Sequence, residues 1–196
     1  MDTENLFLKH SQWVNSDGET GEKLEIEKGE MSELDITDTN LSCSVIVESY
    51  VNNSILTNND MSDCYFLSTS FDETNLSESI LSKTVFDFAS LKHSILKNCI
   101  GIKASFDDAN LSFADLSGSD LRRASFRRAN LSHANFSNVD LTSASLDGAF
   151  LYGTNFKEAR GIDEVSAQYI FVGTEEKPIR LEGDDIHKWL IEQTRA

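Results

Sequence analysis

From Met31 to Phe156 every fifth residue is apolar, with Gly101 the single exception among 26 positions. Two residues before each stands a small side chain. Of the 24 such positions from Thr39 to Thr154, 22 are Ser, Thr, Ala or Cys, and Asn59 and Val139 are the others. An α-helix repeats every ~3.6 residues and a flat strand every ~2, so neither produces this spacing. A solenoid of short repeats does. In the unit Ala129–His133, alternation places Ala129 and Leu131 inward and Asn130 outward, and the pattern then restarts with Ala134 and Phe136. The chain must therefore turn within residues 132 and 133, once per unit.

Four right-angle corners close a loop, which predicts square coils of four five-residue units. Side chains one coil apart should then form ladders. Phe66, Phe86, Phe106 and Phe126 fall on one such line, with Ile46 before and Leu146 after. Leu56, Leu76, Leu96, Leu116, Phe136 and Phe156 form the opposite one, and Phe71, Leu91, Leu111, Leu131 and Leu151 a third. Four large side chains fill each layer, so the other inward positions must be small. Each buried large side chain contributes roughly 1.5–3 kcal/mol, against about 1–2 kcal/mol to order each residue's backbone, so only stacked neighbours make the array stable. At roughly 4.8 Å per coil the stack is about 31 Å long.

Runs such as Ala109-Asn110-Leu111-Ser112, Ala114-Asp115-Leu116-Ser117, Ala129-Asn130-Leu131-Ser132 and Ala134-Asn135-Phe136-Ser137 resemble the A(D/N)LXX motif of pentapeptide-repeat proteins. The resemblance implies an all-β fold, a right-handed quadrilateral β-helix over residues 24–160; the handedness comes from the resemblance alone.

An open stack exposes unpaired edges and apolar layers, so it needs caps. Residues 1–23 are the expected N-terminal cap: Leu6, Phe7, His10, Trp13 and Val14 have helical spacing, and His10–Val14 resembles the lead-in of some family members. Residues 161–196 are the expected C-terminal cap. There Tyr169–Gly173 reads as a strand, Glu175–Pro178 as a turn and Ile179–Leu181 as a returning strand. Asp184 is the expected N-cap of a short helix with Ile186, Trp189 and Leu190 on one face. Trp13, Tyr169, Phe171, Ile186, Trp189 and Leu190 are thus candidates for capping or, as the resemblance implies, for joining two chains end to end through the C-terminal segment. Gly101 removes a large side chain from the column Leu81, Gly101, Leu121. Either Ile100 or Ile102 rolls inward and bulges the coil, or both stay exposed as a contact patch; the bulge is the expectation. No insertion breaks the register, so no long side loop is expected.

The formal charge is −16, with residues 1–40 holding 11 acids against 3 bases. Such acidity repels nucleic acid and anionic membrane, so neither is expected to bind directly. No apolar run is long enough for a membrane span, and no basic-then-apolar signal segment opens the chain. Three cysteines, two at inward small positions (Cys64, Cys99) and one at a corner (Cys43), read as reduced thiols in a cytoplasmic setting.

Enzyme constellations are scarce. His93 and His133 share a face but stand two coils, about 10 Å, apart, too far to share a metal. Ser132-His133 occupies a corner with no pocket or oxyanion donors, no phosphate loop is present, and a filled interior leaves no cleft. No catalytic, cofactor or metal site is expected. Arg122, Arg123, Arg127 and Arg128 form a basic corner cluster on an acidic column, either a partner contact or a set of partners for Asp107 and Asp108 one coil below. Two functions follow: a rigid scaffold that binds a protein through Arg122, Arg123, Arg127, Arg128, Ile100 and Ile102, or, as the resemblance implies, a mimic of duplex DNA that occupies a type II topoisomerase such as DNA gyrase. Asp72, Glu73, Glu78, Asp107 and Asp108 would supply the mimic's charge.

Overall fold

The computed structural model describes residues 3–195; residues 1, 2 and 196 of the expected caps lie outside the described residues. Parallel bridges join each residue i to i+20, from Glu30↔Tyr50 through Asp140↔Arg160, and fall on every fifth residue, so four ladders run the length of the repeat. Most rungs are single-residue bridges because the chain turns again two residues later. A longer pair forms near the start, where β1 (Glu25–Glu27) runs parallel to β2 (Val45–Val47). Neighbouring coils exchange backbone hydrogen bonds in both directions. Ile80 N–H donates to Asn59 O at 2.9 Å, and Leu81 N–H donates to Ile100 O at 2.7 Å.

The predicted columns are present. Ring centroids of Phe66–Phe86, Phe86–Phe106 and Phe106–Phe126 lie 5.2, 5.1 and 5.0 Å apart, the last two pairs nearly parallel. Inward large residues are buried throughout. So are the small ones from Ser44 to Thr154, but by two means. Alanines line much of the later coils, whereas Thr69, Thr74, Ser79 and Thr84 donate hydroxyl hydrogen bonds to carbonyls of the preceding coil at 2.6–3.0 Å. Among the described residues no buried side-chain nitrogen or oxygen is left without a partner, as a stable interior requires.

Each corner is a tight turn, and most are closed by a backbone bond such as Ala104 N–H to Gly101 O; at Ser54, Asn59 and Cys99 the N–H donates instead to a hydroxyl of the next coil. The third corner residue sits in the left-handed region, with φ between 50° and 63° at every non-glycine corner from Lys28 to Glu158. That conformation costs an L-residue roughly 1–2 kcal/mol and is worst for β-branched side chains. No Val, Ile or Thr occupies any of these positions. The Asn or Asp of the motif has its own task. Its side-chain oxygen accepts the N–H two residues on, as Asn110 does from Ser112, Asp115 from Ser117 and Asn130 from Ser132 (3.0–3.1 Å), the Asx device that stabilises a turn.

Gly101 does not produce the expected bulge. Ile80↔Ile100 and Ile100↔Asp120 bridge in register, Ile100 stays exposed and Ile102 half-buried. A Cβ on Gly101 would meet Leu121 Cδ2 at 2.8 Å, so the neighbouring leucine fills the space that a large side chain would need.

At the start, α1 (Thr3–Asn15) is held to the first coil by His10, which is buried. Its Nδ1 accepts Leu24 N–H at 2.9 Å, which puts the ring proton on Nε2, where it donates to Ser42 O at 3.0 Å. Trp13 stacks on the His10 ring. At the far end a 3₁₀ turn (Ile162–Glu164) shifts the register to i+21, and β3 (Tyr169–Gly173) continues a ladder through Phe150↔Phe171. It returns antiparallel as β4 (Pro178–Glu182). α2 (Asp184–Gln193) then buries Ile186 and Leu190, and Trp189 meets Phe156 edge-on at 6.3 Å. The N-cap expected at Asp184 is instead Gly183, and no side chain caps the helix. Gly183 has φ 56° and ψ −136°, a conformation that glycine tolerates, which moves Asp184 into the first helical turn. Asp184 and Asp185 there face the positive end of the helix dipole.

Candidate interaction surfaces

The outward positions fall into three chemical groups. The first is the arginine corner. Arg127 donates from Nε and Nη2 to Oδ2 of Asp107 one coil below, and Arg128 grips both oxygens of Asp108. Arg122 grips Asp120 in the same way at 2.7–2.8 Å. Arg123 is exposed and makes no ion pair among the described residues. Three of the four arginines are therefore paired with acids of the same chain on the column's surface, and one is not.

The second group is the acids. Asp107 is 5% exposed. Besides Arg127, it accepts Ser125 O–H at 2.5 Å and Arg127 backbone N–H at 3.0 Å. Burial pushes its carboxyl up, but the Arg127 and Ser125 hydrogen bonds outweigh it and hold the group below the usual carboxylate range. Asp72 repeats the device, accepting Ser90 O–H at 2.5 Å and Lys92 N–H at 2.9 Å, with Lys92 Nζ 3.5 Å away. Asp87 accepts from Ser105 O–H and Asp107 N–H in the same manner. These aspartates clamp one coil to the next. Glu73 and Glu78, at exposed corners, remain turned to solvent.

The third group is apolar. Tyr50, Ile55, Tyr65, Leu67, Ile80, Phe88, Ile95 and Ile100 are all exposed, and all lie in the first half of the repeat. Ile100 lies beside Ile80 on one ladder. Tyr50 and Phe88 flank a shallow recess also lined by Glu48, Ser70, Asp72 and Ser90. Of this group the motif analysis singled out only Ile100; the signal available was each departure from Ser, Asn or Asp at an outward position. Phe113, exposed in the second half, stacks between His93 and His133 at 5.0 and 4.8 Å, so the two histidines are spaced by a ring.

Reactive groups are scarce. Burial pushes the Cys64 and Cys99 thiols up to about 12, and both donate to carbonyls of the preceding coil. Among the described residues no group of three His, Cys, Asp or Glu side chains gathers to hold a metal, and no helix is long and apolar enough to cross a membrane. The C-terminal candidates divide: Ile186 and Leu190 are covered within the chain, whereas Tyr169, Phe171 and Trp189 are half-buried.

Eight copies of the pentapeptide-repeat family model match the chain, over residues 60–98, 104–142 and 134–160. No curated protein sequence matches. Among solved structures, the chain is similar to a trypsin-treated variant of QnrB1, a plasmid-mediated fluoroquinolone resistance protein (15% identity, 74% of this chain and 93% of that one, TM-score 0.43). It is also similar to HetL, a pentapeptide-repeat protein involved in heterocyst differentiation regulation in the cyanobacterium Nostoc (18%, 84% and 94%, TM-score 0.31). A thylakoid-lumen pentapeptide-repeat protein of Arabidopsis thaliana is 31% identical over 61% of this chain and 72% of that one, with a TM-score of 0.30. Pentapeptide-repeat proteins fold as right-handed β-helices and are generally structural or binding proteins. With its five-residue period, its rungs at i+20 and the matched repeats, the chain belongs to the pentapeptide-repeat family.

Proposed function

We propose that this protein is a non-enzymatic, rigid acidic scaffold for protein–protein interaction. In this reading residues 24–160 wind as a right-handed quadrilateral column, closed by residues 1–23 and 161–196, and the protein works in the cytoplasm as a monomer or as a dimer joined through its C-terminal segment. One observation carries the proposal. Inward side chains are consumed by packing, so the surface is what remains for function. The test is affinity capture from the native host's lysate with light scattering of the purified chain. A specific protein that co-purifies supports the scaffold, and an empty capture under several salt conditions overturns it. Arg123→Glu should weaken capture if the arginine corner is the contact, because Arg123 alone of the four has charge to spare.

A second reading, mimicry of duplex DNA at DNA gyrase, is supported by the net charge of −16 and by a column about as long as nine base pairs. The pairing of Asp72, Asp107 and Asp108 with cations argues against it, leaving Glu73 and Glu78 of the five candidate acids. Mimicry predicts that micromolar protein alters gyrase-catalysed supercoiling and that Glu73→Gln with Glu78→Gln removes the effect. Unchanged supercoiling would end this reading.

A further inference from the structure

We propose that the outward face around Tyr50 and Phe88 is a docking site for a basic, apolar segment of a partner protein. This rests on the scaffold reading and assigns its contact surface. Phe88 gives the first reason. It is the most exposed large apolar side chain in the described structure, at 61%, and it occupies a corner with φ 60°. A bulky residue is rare in that conformation, and strain held at an exposed position points to use rather than to packing. Phe113 occupies an equivalent corner, but it lies between two histidine rings. Phe88, Tyr50 and Tyr65 have no ring partner among the described residues.

The second reason is placement. Tyr50 and Phe88 frame a recess with serines at Ser70 and Ser90, the residues that follow Tyr50 on its ladder. Tyr65, on the next ladder between Val45 and Val85, and Leu67 extend the apolar surface around the corner. Aromatic side chains are enriched in interface cores, and clustered exposed apolar groups mark interaction sites.

Charge selects the occupant. Residues 24–100 carry 13 acids against 4 bases. Glu30 bridges directly to Tyr50 and is exposed; Glu48, 3.6 Å from Lys28 Nζ, lines the recess, and Asp72 closes it, paired with Lys92. A second copy would bring −16 against −16, and an anionic membrane or nucleic acid would also be repelled. A segment that interleaves Lys or Arg with Leu, Phe or Trp satisfies both the rings and the acids.

The test uses the full chain and a fluorescent synthetic peptide alternating Lys with Leu and Trp, read by anisotropy, with a Glu-for-Lys peptide as control. Phe88→Ser and Tyr50→Ser introduce the residue found one coil away, at Ser68 and Ser70, and leave the net charge unchanged. Each should weaken binding of the basic peptide about tenfold or more, as loss of an aromatic anchor does. Glu48→Gln should weaken it a few-fold and flatten its salt dependence. Binding that is absent in the unaltered chain, or that neither serine variant weakens, overturns the proposal. So does light scattering that shows a dimer lost in Phe88→Ser, or co-sedimentation of the protein with phosphatidylcholine vesicles. If the lysate partner is still captured by both serine variants, this face is wrong and the scaffold stands. If the unaltered chain captures nothing, the scaffold itself fails.

Discussion

The two halves of the column share one backbone and one series of large inward residues, and differ in the small inward and outward side chains around them. Residues 24–100 carry net −9, and residues 101–160 hold seven acids against seven bases. The first half fills its inward small positions mostly with Ser, Thr and Cys, the second mostly with Ala. The first half displays tyrosine, phenylalanine and isoleucine outward, braces turns with Asn40, Asp60 and Asn75, and ties coils with Lys–Asp pairs; the second braces more of its turns with Asn or Asp and ties coils with Arg–Asp pairs. The rungs at i+20 run through both without a break. The ladder is therefore set by the backbone and the large inward residues alone. What varies is the surface, and variation that the fold does not require is where binding is best sought.

The largest expected effect tests whether the shared stack is the common support. Phe106→Ala removes a ring held between Phe86 and Phe126 at the junction of the halves. It should cost about 3–5 kcal/mol, since neighbours on both sides cannot collapse into the space. Chemical denaturation would read this. A loss below about 1 kcal/mol would mean that the column is not the main source of stability.

Acid should separate the halves next. His10 ties α1 to the first coil as a neutral ring, and burial holds its pKa below the usual histidine value of 6.5. The unfolded chain takes up this proton first, so the contribution is fully present above about pH 6.5 and declines as pH falls below that. Asp107, in the second half, is held below its ordinary 3.8, so its contribution persists above that value and is lost only as pH falls through the depressed one. Hydrogen exchange across a pH series should loosen Leu24 and Ser42 at mildly acid pH while coils around Asp107 stay protected. Asp107→Ala should cost about 1–3 kcal/mol at neutral pH, because Ser125 and Arg127 lose their acceptor.

Much of this was legible in the sequence, and what was not has physical causes. The phenylalanine column follows from spacing because each coil repeats the one before. The Arg127–Asp107 and Arg128–Asp108 pairs follow from the same arithmetic. Gly101 misled because a missing side chain invites either a neighbour on the chain or one on the stack to fill the gap, and only coordinates show that Leu121 does. Gly183 displaced Asp184 as the cap because cap position depends on one backbone dihedral that composition does not reveal. The exposed rings at Tyr50 and Phe88 were overlooked for a different reason: the five-residue rule concerns inward positions and is silent about outward ones. The absence of β-branched residues at the third corner position was readable, and it alone would have located the left-handed corners of the repeat.

A smaller effect probes the interior contrast. Thr74 O–H donates to Val51 O at 2.8 Å. Thr74→Val keeps the shape and loses the bond, at roughly 1–2 kcal/mol. The mirror change in the second half, Ala129→Ser, should be close to neutral, because Phe106 O stands one coil back where the hydroxyl of such a residue finds its acceptor. Equal penalties for the two would mean that each half is packed for its own side chains and that the shared frame is less permissive than the unbroken rungs imply.

The smallest effect carries the opposite sign. Glycine at a corner avoids the left-handed penalty, as Gly118 already does at φ 74°. Phe88→Gly should therefore stabilise the protein by about 1 kcal/mol, since an unstacked exposed ring returns little to the fold. Phe113→Gly should gain less or nothing, because it also removes two ring stacks of roughly 0.5–1.5 kcal/mol each before the conformational relief is counted. Thermal melts of the two variants measured together decide the matter. If Phe88→Gly destabilises as much as Phe113→Gly, the ring at position 88 belongs to the packing of the column. If it stabilises while binding of the basic peptide is lost, the first half has kept a strained aromatic side chain that only a partner can explain.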